Sequence, residues 1–499
     1  MPDHPDTTTS SISAADERRR WITLYVLCTG MLMIVLDVTV VNVALPSIQD
    51  DLDFSQSNLA WVVNAYLVPF GGLLLLAGRL GDLLGRTRIF LGGLTLFVAA
   101  SLLCGVSQNQ EMLVGARFLQ GIGGALTSAV ILGMIVTMFP KPAEQAKAIG
   151  AFTFVAVAGG TIGLLVGGVI TEAISWHWIF LLNLPIGIVT GIMARRLLDS
   201  GDRGAGLADG ADVPGAILIT SALMLGVYTI VGVAEEGWTS TRTLGLGAVS
   251  VLLVVLFVVR ETHAAKPLVP FSIFRSRNVT GANIIQMLAM AGLFGIGFLG
   301  ALYLQRVLGY GPVEVGLAFL PATLIMGVLS LRFTAGFIGR FGSRKVLIVG
   351  LVFVALSLVL FARVPVDGNY VTDVLPIMLL QGIGPGLAFP ALMTLAMSGA
   401  TPENAGVTSG IVNTTQQIGG AIGLSVLATL STTRSEHLLD GGSSVPEALT
   451  GGYHLAFIVG AGLVVAALII AVTVLQQPPA TPEEDEPFAH YEPELAEIV

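Results

Sequence analysis

The sequence predicts an all-α polytopic membrane protein of fourteen transmembrane helices, and three observations carry that expectation. Apolar runs of about 20 residues, long enough to cross a hydrocarbon core of about 30 Å, recur along the whole chain. Of the residues, 54% are hydrophobic and only 11% charged, with mean hydropathy +0.83, whereas soluble domains carry about 25% charged residues. Lysine and arginine concentrate in every second connecting segment, as cytoplasmic loops require.

In order, the runs cover residues 21–45, 58–78, 89–107, 111–137, 148–171, 178–194, 213–233, 243–260, 279–305, 314–333, 346–362, 373–397, 405–430 and 454–475. With the N-terminus inside, 19 of the 24 Lys and Arg residues fall on the cytoplasmic side. Four (Arg242, Arg306, Arg363 and Arg434) fall outside, and Arg117 lies within a run. Removing one span would invert the later loops and destroy this asymmetry. Both termini are therefore expected in the cytoplasm and the chain in the cell membrane. The first run follows Arg18-Arg19-Arg20 and is too long for a signal-peptide core, so it reads as a retained span.

Several function classes are disfavoured. Net charge is −9, but many acids sit in the C-terminal tail, and no basic patch for nucleic acid is present. Cys28 and Cys104 lie within apolar runs, which argues for packing rather than a disulfide or a metal site. No HExxH, GxSxG, P-loop or His/Cys cluster is found, so no enzyme and no resident cofactor is expected.

An internal repeat is visible. Leu119-Gln120-Gly121-Ile122-Gly123 recurs as Leu380-Gln381-Gly382-Ile383-Gly384, and Gly85-Arg86-Thr87-Arg88 is echoed by Gly342-Ser343-Arg344-Lys345. The organisation this implies is a cytoplasmic tail (1–20), a six-helix bundle (21–195), two inserted spans (196–278), a second six-helix bundle (279–475) and an acidic tail (476–499).

Within the runs, charge is the strongest functional signal. Asp37 lies in the first span, where an ionised side chain costs roughly 2.5–3.5 kcal/mol even on the lenient insertion scale. Arg117 is the one intramembrane cation of the sequence. Counting from the outer ends of their spans places Asp37 ~12 Å and Arg117 ~9 Å deep, at similar level. A charge pair or water-bridged proton relay follows; a purely structural ion pair is the plainer reading. The loop Gly78-Arg79-Leu80-Gly81-Asp82-Leu83-Leu84-Gly85-Arg86 allows Asp82 to dock on the positive N-terminus of span 13, forming a conformational latch; an ordinary positive-inside turn with an incidental acid is the alternative. Gly159, Gly163, Gly167 and Gly168 in span 5 permit close helix approach. Asn42, Asn64, Gln120, Gln286 and Gln416 are buried amides taken as candidate lining of a substrate cavity. His177 sits in an interfacial aromatic belt between Trp176 and Trp178.

These residues resemble the fourteen-span drug:proton antiporter branch of the major facilitator superfamily. LDVTVVNVALP at 36–46 is similar to the branch's first-span motif, GRLGDLLGRTR at 78–88 to the superfamily loop motif, and RFLQGIGGA at 117–125 to its fourth-span motif. WHWIFLLNLPIG at 176–187 and PLVPFSIFRSRN at 267–278 resemble further branch segments. The chain departs at Leu164, where the fifth-span motif carries proline, at His177, where arginine is usual, and in the second loop copy, Ala335 to Lys345, which lacks the acid. The resemblance implies the major facilitator fold and alternating access between two bundles. It also implies export of small hydrophobic or cationic drugs driven by inward protons, with Asp37 and Arg117 in coupling and Gly78, Asp82, Gly85 and Arg86 in the latch. A dedicated exporter of one lipid or metabolite, or a non-transporting sensor or scaffold, are the alternatives.

Overall fold

The computed structural model describes residues 14–54, 56–198, 204, 212–264, 267–401 and 403–476. Among the described residues there is no β-strand, because backbone amides in lipid find partners only within a helix when no barrel is closed. Among the described residues fourteen long helices follow one another: α1 (Ala14–Asp51), α2 (Gln56–Leu84), α3 (Arg86–Gly105), α4 (Gln110–Met138), α5 (Pro142–Ala173), α6 (His177–Leu197), α7 (Val213–Glu236) and α8 (Thr241–His263). After a short 3-10 turn at Phe271–Arg275 come α9 (Arg277–Arg306), α10 (Val313–Phe341), α11 (Ser343–Phe361), α12 (Tyr370–Ala396), α13 (Ala405–Asp440) and α14 (Val445–Thr473).

Each apolar run coincides with one helix. Among the described residues, twelve helices are long and apolar enough to cross a membrane by length and composition. The two outside that set are α5 and α13, of 32 and 36 residues. The polar stretch Asn413-Thr414-Thr415-Gln416-Gln417 lowers the hydropathy of α13, and α5 includes positions whose side chains are not described. Of the tails expected at 1–20 and 476–499, residues 1–13 and 477–499 fall outside the described residues, and residues 14–20 are the start of α1 and not a tail.

Successive helices alternate in direction, so the first and last described helices meet one face, called here the terminal face. Arg19 at the start of α1 donates to Leu197 O at the end of α6 (3.0 Å), and Arg20 to Met138 O at the end of α4 (3.3 Å). Arg344 at the start of α11 donates to Ala471 O near the end of α14 (3.3 Å).

Helix α1 packs on α5 and α6, and α4 on α2 and α3, while α9 packs on α13 and α14 and α12 on α10 and α11. These two groups meet where α2 and α4 face α13 and where α5 faces α10 and α12. Helices α7 and α8 pair, and α7 lies on α2 and α13. The outer face of α8 is bare: Val251, Leu252, Val255 and Val259 are all more than half exposed. An apolar stripe of that extent requires an apolar solvent.

The internal repeat is also a packing repeat. A Cβ on Gly93 would fall 2.7 Å from Thr127 N and one on Gly350 2.6 Å from Ala388 N; on Gly123 it would fall 2.5 Å from Phe97 N and on Gly384 2.8 Å from Val354 N. Backbones of α3 and α4 thus touch as those of α11 and α12 do. Gly123→Ala is expected to lower the melting temperature of the purified protein, by an overpacking cost of about 1–3 kcal/mol. Gly92→Ala, where nothing lies within 4 Å among the described residues, should be neutral or mildly stabilising through helix propensity. Equal shifts in the two variants would show that backbone approach is not what these glycines provide.

Candidate functional site

Asp37 of α1 and Arg117 of α4 meet in the interior, 2% and 1% exposed. Arg117 Nη1 donates to Asp37 Oδ2 at 2.5 Å. Two uncompensated charges in a low-dielectric interior would cost more than their attraction returns, so the remaining valences decide whether such a pair is tolerable. Here they are filled. Gln120 Nε2 and Asn183 Nδ2 donate to Asp37 Oδ1 at 2.7 and 3.0 Å. Arg117 also donates through Nη1 to Gln120 Oε1 (2.7 Å) and through Nε to Val62 O (2.9 Å). Its guanidinium carbon lies 4.4 Å over the Tyr66 ring and 5.7 Å from that of Phe180. Ser101 Oγ, 2.7 Å from Gln120 Nε2, closes the group on α3.

The local sequence explains the convergence. Arg117 and Gln120 are three residues apart and share one face of α4. Gly121, on the adjoining face, brings α4 so near α2 that a Cβ there would strike Tyr66 O. The ring of Tyr66 is thereby pressed against the guanidinium. Five helices, α1, α2, α3, α4 and α6, supply the cluster, and the carboxylate is sealed from solvent by all of them.

Gln120 therefore belongs to this charged cluster and not to a substrate cavity, because it is fully buried and its amide is spent on Asp37, Arg117 and Ser101. Gln286 is 1% exposed and donates to Gln416 Oε1 at 3.2 Å, so these two amides tie α9 to α13. Asn64 does line a cavity, of about 120 Å³, with Trp61, Tyr228, Glu236 and Arg242 between α2, α7 and α8. The side chain of Asn42 lies outside the described residues. Asn183 and Ser101 were not singled out from sequence. Asn183 carried the same signal as the other amides, a polar residue in an apolar span. Ser101 carried none, since a helical serine can satisfy itself on its own backbone.

The second cluster is at the terminal face. Gly406 N and Val407 N, in the first turn of α13, donate to Asp82 Oδ1 and Oδ2, both at 2.8 Å. Arg86 holds the same carboxylate through Nη2 (2.8 Å) and Nε (3.2 Å). Asp82 thus satisfies orphan amides of a helix 324 residues away and meets its dipole. Gly85, at φ 97°, makes the turn that carries Arg86 back to it. Gly78 and Gly406 face each other so closely that a Cβ on either would strike the other's carbonyl oxygen. In the second half Gly342 keeps the turn, at φ 83°, without the acid.

Glycines of α5 pack on α1. A Cβ on Gly159 would fall 3.0 Å from Val35 Cγ1 and one on Gly167 2.9 Å from Val40 Cγ1, and on Gly163 it would collide with Thr39 Oγ1. Gly168, one position round the helix, would meet only Val43 Cγ1 at 3.9 Å, so the close seam is 159, 163 and 167. The helix continues through position 164, whose side chain lies outside the described residues. His177 stacks on Trp176 at 3.7 Å, and Trp176 Nε1 donates to Asp51 Oδ2 at 3.0 Å.

Two outcomes follow. Asp82→Asn should speed amide hydrogen exchange at Gly406 and Val407 about tenfold or more, since bonds to a charged acceptor contribute roughly 1.5–3 kcal/mol; unchanged exchange would remove Asp82 from the contact. Arg117→Met should destabilise the protein by about 3–5 kcal/mol by stranding Asp37, and adding Asp37→Asn should restore part of the loss. A double variant no more stable than the single one would show that the two charges are not coupled.

The comparisons with known proteins agree with this architecture. The chain matches the Major Facilitator Superfamily over residues 27–424. It is 36% identical to the puromycin resistance protein pur8 of Streptomyces alboniger over 94% of this chain and 95% of that one. It is also 36% identical to the cephamycin export protein CmcT of Amycolatopsis lactamdurans, over 90% of each. The crystal structure of the human organic anion transporter MFSD10 (TETRAN) superimposes with TM-score 0.63 and 15% identity, covering 91% of this chain and 99% of that one, a likeness of fold. On this match the chain belongs to the Major Facilitator Superfamily and is a multi-pass membrane transporter, not an enzyme.

Proposed function

We propose that the protein exports amphipathic, cationic drugs or antibiotics across the cell membrane by alternating access, in exchange for inward-moving protons and without a resident cofactor. The observation that carries this reading is the sealed Asp37–Arg117 cluster: one titratable carboxylate, fully provided with donors, held by five helices that must move for it to change charge. The names of relatives, one for puromycin resistance and one for cephamycin export, support a drug or antibiotic as cargo.

In this reading α5 and α13 cross with the other twelve helices, which gives fourteen spans in two six-helix bundles with α7 and α8 inserted. The terminal face, where the basic residues gather, is cytoplasmic. The state described is closed on that side. Asp82 ties α2 to α13 there, and a Cβ on Gly150 of α5 would strike Ser330 O of α10. Protonation of Asp37 weakens its hold on Arg117, which keeps Val62 O, Gln120 Oε1 and the Tyr66 face. The five helices are then free to repack and the latch at Asp82 to open, so that cargo enters from the cytoplasmic side. Return of the proton to the cytoplasm restores the pair. Asp37 is the one acid of the cluster, so proton and cationic cargo compete for it.

A dedicated exporter of one metabolite is the second reading, and the Amycolatopsis relative, named for export of one compound, favours it. The test uses purified protein in proteoliposomes with an inward proton gradient and a lipophilic dye cation. Wild type is expected to move protons on dye addition, and Asp37→Asn to lose that response at least tenfold. A silent wild type that binds dye would sink dye-coupled antiport, and a response to a single compound of a panel would decide for the narrower exporter.

A further inference from the structure

The terminal face of α1 to α6 is strongly basic. The arginine triplet at 18–20, the α2–α3 and α4–α5 turns and the end of α6 together carry ten arginines and lysines against four acids. Set into this face is a cavity of about 570 Å³. Arg19, Arg20, Arg86 and Thr87 form its polar wall, with one acid, Asp16, and Met138 and Leu197 form its apolar side.

Arg20 stands in the wall with Nη1 3.3 Å from Met138 O and 3.5 Å from Glu144 Oε2, and its guanidinium carbon 5.7 Å from the Phe139 ring. Arginines at the wall of an open cavity suit an anionic oxygen, which accepts charge-assisted hydrogen bonds from them. Depth in the membrane is marked by the next residue. Trp21 lies against Phe139 with ring centroids 4.8 Å apart, and Lys147 Nζ sits 4.8 Å from the Trp21 ring, the arrangement of an interfacial anchor at headgroup level.

We infer that this cavity binds the phosphate headgroup of an anionic lipid, with the phosphate on Arg19 and Arg20 and the start of an acyl chain along Met138 and Leu197. Basic pockets between helices at a membrane face suit such headgroups, and the apolar side distinguishes a lipid from a free anion. Arg86 belongs both to this wall and to the Asp82 latch. A bound phosphate therefore competes with Asp82 for Arg86, and lipid charge acts on the contact between α2 and α13. The inference rests on the membrane reading alone and is independent of cargo and of proton coupling.

The test is binding, with no transport step. Full-length protein in nanodiscs of mixed phosphatidylcholine and phosphatidylglycerol is transferred to detergent, and the retained lipids are weighed by native mass spectrometry. Wild type is expected to retain phosphatidylglycerol in preference, and Arg20→Gln to reduce that preference about tenfold, one lost charge-assisted contact. Arg196→Gln, on the same basic face outside the cavity, should leave it unchanged. Equal losses in both variants, or none in Arg20→Gln, would overturn the site. Should Arg20→Gln not fold, Arg19→Gln removes the other phosphate-facing arginine of the wall, and an unchanged preference in it overturns the site equally. If excess inorganic phosphate brings wild type down to the variant's level, the cavity takes a free anion and the lipid assignment fails.

Discussion

A carboxylate buried 2% exposed in apolar surroundings is tolerable only if every lone pair has a donor, and that one requirement organises the first half of this molecule. Asp37 draws Arg117 and Gln120 from α4 and Asn183 from α6, while Arg117 in turn needs Val62 O and the Tyr66 ring from α2. None of these partners is replaceable by water, since the cluster is sealed. The helices around it are therefore tied into a common arrangement through Asp37 and its donors.

Small residues make such an arrangement possible. Side chains as short as Asp and Asn reach one another only where backbones approach closely, and Gly121, Gly123 and Gly93 bring α2, α3 and α4 to that distance. The second half uses the same device at Gly350, Gly382 and Gly384, but Met378 stands where Arg117 would be and is fully buried. One scaffold thus occurs twice, once around a charge and once around a thioether. Ser357 and Gln381 still bond at 3.0 Å in the second copy, as Ser101 and Gln120 do in the first.

How far the sequence reveals this follows from the cost of each feature. The helices are legible because lipid admits little else, and Asp37 and Arg117 because a charge in a span demands a reason. Helix rise puts them at similar depth, and they do meet. Asp82 was placed at the start of span 13 from alternation and the helix dipole, and its oxygens accept there from Gly406 and Val407. Amides were harder. Gln120, Gln286 and Asn64 look alike in sequence, yet one completes an ion pair, one ties two helices and one lines a cavity, because their fate depends on which helix each face meets. Ser101 was invisible for the reason given above. Gly168 shares the motif of its neighbours without sharing their contact, since the seam on α1 repeats every four residues and 168 is off that register.

The neutrality of the Asp37–Arg117 pair has an electrical consequence. While the two charges are matched, the pair itself carries no net charge, and voltage has no hold on it. Once Asp37 is neutralised, Arg117 becomes an uncompensated cation, and its displacement is worth up to about 2.3 kcal/mol per 100 mV for a full crossing. In the proton exchange proposed above, membrane potential would act on this pair only in the leg with Asp37 neutral, so the voltage dependence that the pair contributes would be one-sided.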